Sequence, residues 1–161
     1  MNFQINIYKI ILIFSLIIFM GCQSNPDNED IRSEILELHR ESIAAHLNKD
    51  VDFFVRDLSD NFISVSDGEI NFPTKEEIKL QFSKYLNNTT FKEYIDLQKP
   101  IIGFSKDGST AWSIVQVKVT GKRKMEDGKE HDMDFVCAWI TMYKKEGDRW
   151  KRTIEVSNFK L

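Results

Sequence analysis

His39, His46, His131 and the thiol of Cys137 are the side chains of this sequence with the most capacity for chemistry. His39 and His46 lie two helical turns apart, so a helix would carry both on nearly the same side. A metal pair on a helix wants a spacing of four with carboxylates clustered between, and this pair has neither. Both therefore read as exposed or hydrogen-bonded histidines, with His46 at a pocket mouth as the candidate general acid or base. His131 sits among Lys129, Glu130 and Asp132, a solvated setting. Cys137 has no histidine beside it and only Lys118 to lower its pKa, so it reads as a small buried hydrophobe rather than a nucleophile. The sequence has no Gly-rich phosphate loop, no CxxC pair and no assembled Ser-His-Asp set. No cofactor and no metal are expected.

The elements that must position such groups centre on Thr110 to Tyr143, two apolar-rich segments around a Lys-rich turn. If Asp127-Gly128 forms the two-residue type I′ turn that Asp-Gly favours, Glu126 opposes Lys129. Counting outward then sets Trp112 across from Tyr143, Ile114 from Thr141, Gln116 from Trp139 and Lys118 from Cys137. These share one face, because side chains alternate along a strand. Val115, Val117, Val119, Val136, Ala138, Ile140 and Met142 share the other. The first face mixes rings with groups that need partners if packed dry. It is the expected ligand-binding surface, with Trp112, Gln116, Trp139, Thr141 and Tyr143 as its residues.

Upstream, apolar or small residues at Ile31, Ile35, Leu38, Ser42 and Ala45 recur at spacings of three and four, predicting a helix that ends near Asn48. Asp50 reads as the cap of a short helix through Phe53 and Phe54, and Phe62 to Ser66 as a strand closed by Asp67-Gly68. Thr74-Lys75-Glu76-Glu77 is a capping box that opens a third helix with Ile78, Phe82, Tyr85 and Leu86 on its buried side. Strands follow at Phe91 to Leu97 and Ile101 to Phe104, then the central hairpin. A last strand carries Trp150, Arg152, Ile154, Val156 and Asn158 on one face. Helices first and antiparallel strands after is an α+β order.

The formal charge of −3 and the lack of an Arg-rich stripe argue against a nucleic-acid partner. Residues 10 to 20 are an apolar run too short to span a bilayer, which reads as a signal peptide core. Its ending, Gly21-Cys22, resembles the lipobox of bacterial lipoproteins, with Phe19 and Met20 where Leu and a small residue are usual. The resemblance implies a signal peptide over 1–21 and lipidation of Cys22. An acidic tether over 22–30 would follow, with a domain over 31–161 held at the bacterial cell envelope, periplasmic or surface-exposed.

The stretch from Glu41 to Gly68, with Asp50-Val51-Asp52 and then Leu58-Ser59-Asp60-Asn61-Phe62, resembles the front half of the NTF2-like superfamily. Its members include SnoaL-like cyclases and ketosteroid isomerase. Asp107-Gly108 and Glu146-Gly147-Asp148-Arg149-Trp150 resemble its back half. The resemblance implies helices packed in a strongly curved antiparallel sheet, a cone with one pocket, and common dimerisation. Ketosteroid isomerase uses a Tyr and a protonated Asp as oxyanion donors and an Asp as base. An ungapped match puts Ser42 at the Tyr and Ser66 at the base, with the third position near Trp139, so isomerase chemistry is not expected. Ser66 and His46 join the expected pocket residues. A module binding a small apolar or aromatic ligand is the leading reading. A SnoaL-like acid-base enzyme and a protein-association module are the alternatives, and a homodimer is expected through the back of the sheet.

Overall fold

The computed structural model describes residues 28–160. The expected signal peptide, Cys22 and most of the expected tether lie outside the described residues. Two helices, two strands, a third helix and five further strands follow in order, and the helices pack into one seven-stranded sheet. Helix α1 spans Asn28–Asn48, α2 Val51–Arg56 and α3 Lys75–Asn87. Among the described residues no helix is long and apolar enough to cross a membrane.

Local signals set the helix ends. Asp50 accepts the backbone N–H of Phe53 at 3.3 Å to start α2. Thr74 and Glu77 form the reciprocal capping box of α3, with Glu77 Oε2 accepting the Thr74 N–H at 2.7 Å. Helix α1 stops where the Asp50 N–H turns back to Ala45 O and Lys49 adopts φ 59°. The buried stripe of α1 is Ile31, Ile35, His39, Ala45 and His46, so both helical histidines face inward.

The strands are β1 Leu58–Ser66, β2 Glu69–Asn71, β3 Thr89–Asp96, β4 Ile101–Phe104, β5 Thr110–Lys124, β6 Glu130–Glu146 and β7 Arg149–Lys160. They order as β2-β1-β7-β6-β5-β3, with β4 also on β5. All pairings are antiparallel except β1 with β7, which is parallel. The architecture is therefore the expected α+β one, with a mixed rather than purely antiparallel sheet. Register shifts at Phe91/Glu93, Met142/Tyr143 and Leu58/Ile63 bend the sheet around the helices.

The central hairpin is shifted by one residue from the expected register. Lys124 opposes Glu130, Trp112 opposes Met142, and Ala111 opposes Tyr143. The reason lies in the turn. Gly128 takes φ 81° while Asp127 stays at negative φ, and the Gly128 N–H bonds to Met125 O as the Met125 N–H bonds to Lys129 O. That is a three-residue loop ending in a left-handed Gly, not a two-residue type I′ turn. The Asp67-Gly68 turn, with φ 53° and 83° and Ser66 opposing Glu69, does take the two-residue form.

One slip re-sorts both faces. Ala111, Ser113, Val115, Val117 and Val119 face the helices together with Tyr143, Thr141, Trp139, Cys137 and Phe135. Trp112, Ile114, Gln116 and Lys118 face away with Met142, Ile140, Ala138 and Val136. On β7 the expected single face is broken at Thr153. Arg152 opposes Tyr143 but Ile154 opposes Met142, so Glu155 points inward where Ile154 was expected.

Candidate functional site

The polar and aromatic groups gathered at the core lie where α1, the α2–β1 junction and strands β5 to β7 meet. A narrow cavity of about 30 Å³ is lined there by residues including His39, Ser42, Trp139, Thr141, Tyr143 and Glu155. That is room for about two waters. Leu38, Asp57 and Trp150 belong both to this cavity and to an open cleft of about 400 Å³ beside it, walled by Glu34, Glu37, Glu41, Arg56 and Arg149.

Each polar group in the cavity has a structural reason for its position. His39, buried on α1, sets Nε2 2.8 Å from Asp96 Oδ1 at the end of β3, and its ring centroid lies 6.1 Å from that of Trp139. Arg152 donates to Phe54 O and faces Glu155 at 3.8 Å, and the Thr141 hydroxyl reaches Glu155 Oε2 at 3.5 Å. Burial raises the Tyr143 hydroxyl pKa, with hydrogen bonds to Ser113 and Thr141 opposing it, so the phenol stays neutral.

Asp57 closes the mouth. Arg56, Arg149 and Lys151 all converge on its carboxylate. Burial alone would raise the Asp57 pKa, but the bonds from Arg56 and Arg149 outweigh it and hold the carboxyl below its ordinary value. Across the mouth, Glu34 accepts from the Trp150 indole at 2.5 Å and from Lys145 at 3.1 Å.

Of the residues expected to bind ligand, Trp139, Thr141 and Tyr143 line the cavity. Trp112 and Gln116 do not, because the register slip puts them on the outer face. There the Trp112 ring lies over Gly103, where a Cβ would come within 2.2 Å of it. Ser66 stands at the β1–β2 turn and lies outside the lining residues. His46 is buried but enclosed by the rings of Phe54, Phe82, Tyr85, Phe91 and Tyr94, with Nδ1 2.7 Å from Ser42 O. Burial lowers its pKa to about 4, opposed by the Ser42 carbonyl and helped by Arg152. Cys137 is buried with its thiol pushed up to about 12 by burial and Glu155, the inert hydrophobe expected. His131 is exposed near the hairpin tip.

Sequence reasoning missed Asp57, Arg152, Glu155 and the pairing of His39 with Asp96. Glu155 depends on the bulge at Thr153, and the His39–Asp96 contact joins residues 57 apart in sequence.

Neither a protein-family model nor a curated protein matches the sequence. Solved structures do match the fold. An NTF2-like protein from Cytophaga hutchinsonii superposes with a TM-score of 0.63 and 21% identity, over 79% of this chain and 96% of that one. The fold is NTF2-like. An NTF2-like protein of unknown function in nutrient uptake from Rhodospirillum rubrum gives 0.60 and 16% identity, over 79% of this chain and 98% of its own. LinA gives 0.63 and 14%, over 81% and 86%. The inner cavity and its cleft thus open from the interior of an NTF2-like cone whose sheet does not close into a barrel.

Proposed function

We propose that this domain binds a small molecule in the cone, with a planar or apolar body along Leu38 and Trp150 in the cleft and a polar end reaching into the inner cavity toward His39. The observation that carries the reading is that cavity and cleft adjoin, sharing Leu38, Asp57 and Trp150 in their walls. The inner cavity alone is too small for an organic ligand. Together with the cleft's volume of about 400 Å³, the tract reaches the range of small-molecule sites, about 300–1,000 Å³.

The run ending at Gly21-Cys22 supports a lipid anchor at the cell envelope, and the apolar outer sheet face supports a second copy as partner. A second reading, acid-base catalysis on a small substrate, is favoured by one observation. A buried histidine held by a carboxylate is the arrangement that orients an imidazole for proton transfer.

Tryptophan emission tests the reading. The chain has 3 Trp, and Trp112→Phe leaves only Trp139 and Trp150, both lining the tract. A small-molecule extract of the host should quench or shift this emission, and the change should shrink in Trp112→Phe/Trp139→Phe. An extract that leaves the emission unaltered contradicts ligand binding.

A further inference from the structure

We propose that His39 presents an unprotonated Nδ1 to the cavity as a hydrogen-bond acceptor, its tautomer set by Asp96, so that the site selects small planar molecules bearing an O–H or N–H donor. The inference rests on the cavity being the ligand site. Nε2 of His39 lies 2.8 Å from Asp96 Oδ1. An ionised carboxylate only accepts, so Nε2 must carry the hydrogen, and a neutral ring then keeps its lone pair on Nδ1. His39 is 3% exposed and lines the cavity. Among the described residues no enclosed side-chain nitrogen or oxygen is left unsatisfied. Nδ1, which meets no donor among them, is therefore the nitrogen that borders the cavity space.

Most of the other polar groups there engage one another, the Ser42 hydroxyl excepted. Arg152 is held by Phe54 O and Glu155, while Thr141 bonds to Glu155. Tyr143 bonds to Ser113 and Thr141. His39 then offers a ring acceptor for an incoming donor, beside the Ser42 hydroxyl, and Trp139, with its ring centroid 6.1 Å away, walls the cavity next to it. A ring seated in the cleft against Trp150 can send an attached hydroxyl into the inner cavity toward Nδ1, and hydrogen bonding combined with aromatic contact gives selectivity that burial alone would not. Asp96 acts as a positioning residue, reaching the ligand only through the imidazole.

Two measurements on the full-length chain decide the matter. In nitrogen-15 spectra of the histidine rings, assigned with His39→Asn, His39 should show the Nε2–H neutral tautomer, and Asp96→Asn should lose that fixed state. An Nδ1–H or doubly protonated ring in the wild type overturns the proposal. In calorimetric titrations, phenol should bind about tenfold more tightly than anisole, which has the same ring but no donor. That preference should vanish in Asp96→Asn. Equal binding of phenol and anisole by the wild type overturns the proposal while leaving the cone as a ligand site. Binding of neither overturns both.

Discussion

His46 sits within a shell of aromatic rings, where a positive charge has lost its water and gained only the Ser42 carbonyl. Its folded pKa, lowered to about 4 by burial first of all, lies below the ordinary unfolded value near 6.5. On acidification the unfolded chain therefore takes up the proton first, so the stability this residue supports is complete above about pH 6.5 and declines toward pH 4. Wild type should lose about 2.5 kcal/mol more than His46→Gln between about pH 7.5 and about pH 4.5, read from urea unfolding at each pH. Equal losses would mean that the ring is solvated. Asp57 makes a different residue-scale prediction. It neutralises Arg56, Arg149 and Lys151 at the meeting of α2, β1 and β7. Asp57→Asn should cost about 2 kcal/mol in thermal or urea unfolding, and a smaller cost in high salt would identify released cation repulsion as part of it.

At the scale of elements, the helices were legible because each carries its own boundary chemistry. The Asp50 cap, the Thr74–Glu77 box and the stripes of α1 and α3 depend on residues within a few positions of one another. The hairpin face was not legible, because Asp-Gly serves two turn types that differ by one residue of register, and only the φ of Asp127 separates them. Trp112 and Gln116 moved out of the site for that reason, while Trp139, Thr141 and Tyr143 stayed in. Glu155 was hidden by the bulge at Thr153, which nothing in the sequence marks. Gly121 offers a test of how the sheet bends. A Cβ there would lie 2.3 Å from Thr90 O, beside the register shift between β3 and β5. Gly121→Ala should destabilise the fold by about 2 kcal/mol, measured by urea unfolding, and a neutral outcome would mean that β3 can move aside freely.

Among the described residues, the helices lie on one side of the sheet and none covers the other. Trp112, Ile140, Met142 and Val156 remain at least partly exposed on the outer face, an apolar patch of the kind that marks an interface. The expected aliphatic face is split, since β5 turns its valines inward while β6 keeps Ile140 and Met142 outside. Ile140→Lys should give a folded monomer by sedimentation. Val117→Lys should unfold the chain, because Val117 is wholly enclosed. At the N-terminus, loss of residues 1–21 and added lipid mass in membrane-extracted protein would bear out an acylated Cys22, and retained Met1 would contradict it. Ligand binding in the tract is tested most directly by native mass spectrometry of protein from its own host, wild type against Leu38→Trp, a variant that places a larger side chain in the wall shared by cavity and cleft. Wild type should carry a bound small-molecule mass that is lost from a Leu38→Trp protein of unchanged circular dichroism. A wild type that carries no added mass, or a mass that persists in the filled variant, would contradict it.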